Sequence, residues 1–167
     1  MNEPPQVSPR GSSAAVQLRR ASAVDAAAIA VLLEPYAAKA IVLPRPVAEV
    51  RRYIDNFLVA TNGDVVVGAV ALRDFGGGLE EVRSLVVAPE HVNCGLGSRL
   101  VTRALDLARS RRARRVFTLT QRPGLFERLG FRIVDKGMFP QKVWSDCAKC
   151  PKQTQCDEIA LLLELGA

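Results

Sequence analysis

One stretch limits the folds open to this chain more than any other. Residues 79–112 read LEEVRSLVVAPEHVNCGLGSRLVTRALDLARSRR. An apolar strand, Val82 to Val87, is opened by the carboxylates Glu80 and Glu81 and broken at Pro89. A turn follows, and Gly95 and Gly97 then start a long amphipathic helix. A strand that runs through a glycine turn into a helix N-terminus leaves backbone N–H groups without intrahelical partners. They sit at the positive end of the helix dipole, so the spot favours an anion.

Three phosphate-binding patterns compete for that turn. A dinucleotide fingerprint needs a third glycine at position 100, where the chain has Leu100. A P-loop needs Lys after its last glycine, and Gly97-Ser98-Arg99 has none. The third pattern is a pyrophosphate cradle for coenzyme A, with N–H groups from Cys94 to Ser98 and the basic Arg99 and Arg103 close by. An ordinary helix start, with glycines for tight packing, stays open on the glycines alone.

Length and charge narrow the class. The chain has 167 residues, enough for one domain with a short tail, and 49% are hydrophobic, enough for a core. The balance of 23 basic to 17 acidic residues gives +6 and favours anionic partners. Aromatics make up 5%, too sparse for stacking platforms, and no zinc-finger or RNP-type motif is present, so no nucleic-acid partner is expected. No apolar run reaches the length of a membrane span, so no membrane partner is expected either. Residues 1–15 are rich in Pro, Ser and Gly without the apolar core of a signal peptide, which predicts a disordered lead-in and a cytoplasmic protein.

The rest of the chain supplies the surrounding elements. Val16 to Arg19 reads as a strand, and Ser22 and Asp25 as helix-start residues before Ile29, Leu32 and Leu33 at helical spacing. Pro44 and Pro46 forbid a continuous helix through 41–46 and make it a connection that presents Arg45. A helix over Val47 to Asp55 is followed by strands at Phe57–Ala60 and Val65–Arg73, joined by the hairpin turn Asn62-Gly63. After the long helix come a strand at Val116–Thr120, a short helix with Pro123 in its first turn, a strand at Phe131–Val134 and a last strand at Ile159–Leu165. The order β-α-α-β-β-β-α-β-α-β-β predicts a single α/β (α+β) domain over 16–167 with a mixed sheet and helices.

With these motifs in order, the chain resembles the GNAT superfamily of acyl-CoA-dependent N-acetyltransferases. The residues that carry the resemblance are the V-R-S-L-V-V-A-P-E strand, the C-G-L-G-S turn and the later L-F-E-R-L-G-F segment. Further segments are similar to bacterial amino-acid N-acetyltransferases of the N-acetylglutamate synthase type. These are Leu43-Pro44-Arg45, Glu81-Val82-Arg83-Ser84-Leu85, Phe117-Thr118-Leu119-Thr120 and the tail Pro140-Gln141-Lys142-Val143-Trp144 with D-C-x-x-C-P-K and C-D-E. Two positions depart from the superfamily pattern. Val92 and Asn93 stand where Arg or Gln and then Gly are usual, and Phe126 stands where many relatives carry a Tyr that protonates the departing thiolate.

The resemblance implies a GNAT-like domain with a mixed, mostly antiparallel sheet flanked by helices, acetyl-CoA as cosubstrate and direct attack of an amine on the thioester. Leu85, Val86 and Val87 would border the pantetheine arm, with a backbone N–H near Val86 or Val87 holding the oxyanion. Cys94, Gly95, Leu96, Gly97, Ser98 and Arg99 would hold the pyrophosphate. Glu81 is the candidate general base, acting through water, with Glu80 as its backup. Strand alternation puts Glu81 and Arg83 on one face. A surface ion pair between them is the plainer alternative. The implied acceptor is the α-amine of an amino acid, glutamate first, as in the first step of arginine biosynthesis. Its carboxylates need cations, and Arg45, Arg83 and Lys142 are the candidates. Acetylation of another small amine or a protein N-terminus, and a CoA-binding sensor without turnover, stay open, as does pairing into a homodimer along a sheet edge.

The segment 140–158 carries Cys147, Cys150 and Cys156. Cys-x-x-Cys suits zinc or an iron–sulfur cluster, but a closed site needs a fourth ligand, for which Asp157, Cys94 or a group from another subunit are candidates. Three plain reduced thiols packing the tail are the favoured reading, with a metal site next and a reversible disulfide between Cys147 and Cys150 third. The run Arg109, Arg111, Arg112, Arg114 and Arg115 reads as a solvated, dipole-matched helix end.

Overall fold

A computed structural model describes residues 15–139 and 157–166. All its strands form one seven-stranded sheet in the order β1-β2-β3-β4-β5-β7-β6. The strands are β1 (Gln17–Arg20), β2 (Phe57–Asn62), β3 (Val65–Asp74), β4 (Leu79–Val87), β5 (Arg115–Thr120), β6 (Arg132–Val134) and β7 (Ile159–Glu164). The helices are α1 (Ala26–Ala38), α2 (Val47–Arg52), α3 (Leu96–Ser110) and α4 (Pro123–Arg128). Element types and order match the pattern read from the sequence. The helix expected over 47–55 stops at Arg52, and a single tighter turn, Ile54–Asn56, leads into β2. Of the expected lead-in, only Ala15 falls within the described residues.

Two faces of the sheet are packed by different means. On one, α3 presents Leu100, Val101, Ala104, Leu105 and Ala108, spaced three and four apart, to Val70, Leu72, Val82, Val116 and Leu161. Gly68 permits this approach, since a Cβ there would stand 3.0 Å from Leu100 Cδ1. On the other face, Ile29 and Leu33 of α1 and Val50 of α2 cover Val59, Ala69, Ala71 and Val86. A third cluster, Leu79, Phe117, Phe139, Ala160 and Leu162, lies over β5 and β7, with the Phe117 and Phe139 rings stacked at 4.0 Å. Burying each such aliphatic or aromatic side chain contributes about 1.5–3 kcal/mol.

The start of α1 is held by charge. Arg19 of β1 donates two hydrogen bonds to Asp25, at 2.7 and 2.9 Å, and the Ser22 N–H donates to the same carboxylate at 2.8 Å. The Arg19 hydrogen bond outweighs the cost of burial and, with the Ser22 N–H, pulls the Asp25 carboxyl down to about 2.

Two features of β4 shape everything that follows. The first is a bulge: Ala71 stands opposite Arg83 and Ala69 opposite Val86, so two residues of β4 face one of β3. Ser84 there has φ +53°, a left-handed conformation uncommon outside glycine. The extra residue switches the faces of the strand. Val82 packs with α3, whereas Val86, an even number of residues on, packs with α1. The second feature is the partner on the other edge. β4 and β5 run parallel, unlike every other described pair, and are registered only from Leu79–Arg115 to Glu81–Phe117. Beyond that point β4 continues to Val87 and β5 to Thr120 without pairing. The sheet opens there as a V.

Candidate active site

The mouth of the V lies at the carboxyl ends of two parallel strands, the place where open α/β sheets bind ligands. α3 begins at this same end. Its N-cap is Gly95, with φ +80° and no side-chain cap, so the first-turn N–H groups of Leu96, Gly97 and Ser98 face outward without a side-chain acceptor at the cap. Gly97 lets α4 close in, since a Cβ would meet Leu125 Cδ1 at 3.2 Å. The departure at Asn93 is accommodated. Asn93 adopts φ +62°, and asparagine is among the few non-glycine residues that visit this region readily. Cys94 is exposed, and its thiol donates to the His91 carbonyl. Arg99 points elsewhere than expected, donating to the Val16 carbonyl beside β1 at 3.1 Å.

The open edge of β4 has a definite set of backbone groups. The Ala88 N–H bonds the Val67 carbonyl at 2.7 Å, so Ala88 and Val86 turn their backbones toward β3. Val87 therefore turns its N–H and carbonyl into the V. Its carbonyl accepts a 2.7 Å hydrogen bond from the Tyr36 hydroxyl of α1. Val87, and not Val86, presents its backbone N–H to the V, because the bulge shifts the alternation by one. Leu85 packs its side chain partly buried against the α3 core.

The two carboxylates at the start of β4 go opposite ways. Glu81 and Arg83 share the α1 face, with Arg83 Nη1 3.9 Å from Glu81 Oε2 and side chains only 10% and 3% exposed. This is a buried pair beside the V, not the solvated pair that a surface reading predicts. Arg73 on β3 lies directly across from Glu81 in the register and on the same face as Ala69 and Ala71. Its guanidinium sits 4.7 Å from the centre of the Phe75 ring. Sequence reasoning missed Arg73. The signal was its two-residue spacing from Ala69 and Ala71, which needs the β3–β4 register to become meaningful.

Glu80 is buried on the α3 face instead. Arg111, at the end of α3, reaches it at 3.5 Å and also donates to the Asp55 carbonyl at 3.2 Å, which Arg20 shares at 2.8 Å. Burial raises the Glu80 carboxyl above its ordinary value, Arg111 opposes this, and nearby Asp74 adds to it. Glu80 is therefore separated by the thickness of the sheet from the face that carries Glu81 and Arg83. Arg111 also departs from the solvated helix end expected of the arginine run.

Arg45 lies on the connection between α1 and α2 with its side chain 14% exposed, held by Glu49 at 2.8 Å. Phe126 of α4 is buried in the core with its ring edge-on to Phe131 at 5.3 Å, and it has no proton to give. Lys142, Cys147, Cys150 and Cys156 lie outside the described residues. Among the described residues, no group of three or more His, Cys, Asp or Glu side chains is placed to hold a metal ion. Asp157 accepts a hydrogen bond from Gln121 at 3.3 Å. No helix among the described residues is long and apolar enough to cross a membrane.

Comparison with known proteins agrees with this geometry. The model of the acetyltransferase (GNAT) domain matches residues 54–133. An uncharacterized N-acetyltransferase of Chlorobaculum tepidum is 39% identical over 148 residues, covering 89% of this chain and 96% of that protein. The amino-acid acetyltransferase of Mycobacterium tuberculosis is 35% identical over 121 residues, covering 71% of this chain and 69% of that protein. Among solved structures, N-acetylglutamate synthase from Neisseria gonorrhoeae, complexed with coenzyme A and N-acetyl-glutamate, superposes with a TM-score of 0.79 at 25% identity. The match covers 93% of this chain and 36% of that one. A Mycobacterium tuberculosis protein in complex with CoA superposes with a TM-score of 0.77 at 28% identity, over 89% of this chain and 99% of that one. A β4 opened from β5, a glycine-capped α3 at the mouth and these relatives together make the chain a member of the GNAT acetyltransferase family.

Proposed function

We propose that the chain transfers acetyl from acetyl-CoA to the α-amine of an amino acid, glutamate first, in the cytoplasm and as the entry step of arginine biosynthesis. The observation that carries this reading is the buried Glu81–Arg83 pair beside the V, with Arg73 across the register. It sets a carboxylate able to take a proton among cations able to hold carboxylates. The names of the relatives support an amino-acid acceptor.

In this reading the pyrophosphate rests on the first turn of α3 and the pantetheine runs along the free edge of β4. The acceptor approaches from the α1 face, where Arg45 and Arg83 hold its carboxylates. Glu81, through a water, takes a proton from the ammonium, and the free amine attacks the thioester carbon. The C–N bond forms as the carbonyl oxygen takes up negative charge, and a backbone N–H on the open edge of β4 stabilises it. When the intermediate collapses the C–S bond breaks, the nitrogen gives up its second proton to water, and coenzyme A leaves as the thiolate. A thiolate is a tolerable leaving group near neutral pH, so a protein acid in place of Phe126 is not required.

Phe126 also favours a second reading, a CoA-binding sensor without turnover. One experiment separates the two. Purified protein is given acetyl-CoA and a panel of amino acids, and release of free CoA is followed. Turnover with glutamate, with KM for glutamate raised in Arg45→Ala, supports the main reading. CoA binding without turnover on any amine supports the sensor, and absence of CoA binding overturns both.

A further inference from the structure

The closed end of the V is built from one side chain. The β4–β5 ladder stops at Glu81–Phe117, and the next carbonyl of β4, that of Val82, would have no partner where the strands part. The Thr118 hydroxyl takes it at 3.0 Å, in a fully buried setting. On its other edge Thr118 is registered with Leu161 of β7, and its neighbours Val116 and Phe117 are completely buried, so the side chain cannot swing away. The mouth of the V, by contrast, is marked by Tyr36 on the Val87 carbonyl and by the start of α3. The free edge of β4 is thus bracketed by two hydroxyls, Thr118 at the vertex and Tyr36 at the mouth.

We propose that Thr118 is the floor of the acyl slot and sets the length of acyl group this chain accepts. The inference rests on the reading that an acyl-CoA lies in the V with its phosphates at the helix end. A chain entering from the mouth then reaches the vertex with its acyl end. There the Thr118 methyl and hydroxyl, locked to Val82, leave no path between the strands. Acetyl stops short of this floor, and each added methylene has to displace a buried side chain that is hydrogen-bonded across the opening. A pocket that selects by one methylene discriminates by roughly 10–200-fold.

The test is calorimetric binding of CoA, acetyl-CoA and propionyl-CoA to the full chain and to Thr118→Ala, Thr118→Ser and Thr118→Val. Wild type is expected to bind acetyl-CoA about tenfold or more tighter than propionyl-CoA. Thr118→Ala removes the floor and brings the two affinities together, with unchanged affinity for CoA itself, which has no acyl group. Thr118→Val keeps the volume and the discrimination, and Thr118→Ser falls between. Unchanged CoA affinity in Thr118→Ala confirms that the V is intact, and undiminished discrimination in that variant overturns the proposal. Equal affinity of wild type for the two thioesters also overturns it. Because no acceptor is present, the result is independent of which amine is acetylated. A wild type that binds no CoA overturns the cleft reading and this proposal together.

Discussion

Glu80 and Glu81 are neighbours in the chain and opposites in the fold. Both are buried, and each faces an arginine, so composition and spacing make them interchangeable. Glu80 looks into the α3 face and is held by Arg111, which also ties down the carbonyl of Asp55. Its work is to fasten the end of a helix to the sheet. Glu81 looks into the α1 face, beside Arg83 and across from Arg73, at the point where β4 leaves β5. The difference teaches that a buried ion pair is no sign of function by itself. What separates the two carboxylates is which face opens onto a gap in the sheet.

The largest effect expected is on the Glu81 side. Glu81→Gln lowers kcat by about 10²–10⁴-fold, the usual worth of a general base. Glu80→Gln leaves kcat within a few-fold. Steady-state CoA release for the two variants checks both, and equal losses would erase the contrast. Next in size is acceptor recognition. Arg83→Met and Arg45→Ala raise KM for a dicarboxylic amino acid by roughly 10–100-fold, the worth of a charge-assisted hydrogen bond, and leave KM for acetyl-CoA unchanged.

Smaller effects fall on stability. Asp25, held at about 2 against an ordinary 3.8, contributes about 2 kcal/mol that is fully present above the ordinary value and lost as pH falls through about 2. Asp25→Asn is therefore destabilised at neutral pH, with the gap closing in strong acid, as followed by denaturant unfolding. Glu80 has the opposite sign. Its carboxyl is raised in the fold, so the folded state holds more protons than the unfolded one between the two values. Its share of stability is present below the ordinary 4.5 and falls as pH rises through that value to the raised one. Glu80→Gln flattens this decline, measurable as a smaller drop in Tm between about pH 4 and pH 8.

Much of the fold could be read from the sequence because its cues are local. Asn62-Gly63, the prolines at 44 and 46 and the α3 stripe each act within a few residues, and each element they predict is present, with the hairpin turn one residue later, on Gly63-Asp64. The pairing of Glu81 with Arg83 followed from strand alternation alone. What could not be read depended on register and partners far along the chain. Nothing in Arg83-Ser84-Leu85 announces that Ser84 takes a left-handed conformation, because the bulge is set by the pairing with β3. Without the bulge, alternation carried past Ser84 assigns the wrong residue to the open edge. From the sequence Arg111 reads as solvated because its partner lies 31 positions earlier, and nothing marks Tyr36 because Val87 is 51 positions later.

The short β4–β5 ladder has a mechanical consequence. The sheet is two plates, β1 to β4 on one side and β5, β7 and β6 on the other, stitched over the three positions from Leu79 to Glu81. Each plate has its own antiparallel network, whereas the seam has only this short ladder, extended at one end by the Arg114 and Arg115 N–H groups on the Gly78 carbonyl and at the other by Thr118 on Val82. A molecule that lies along the unstitched edge adds its hydrogen bonds at the weakest joint of the protein. Its binding free energy then acts as coupling between two cooperative units, and on the proposed placement of acetyl-CoA the cosubstrate would make them unfold as one.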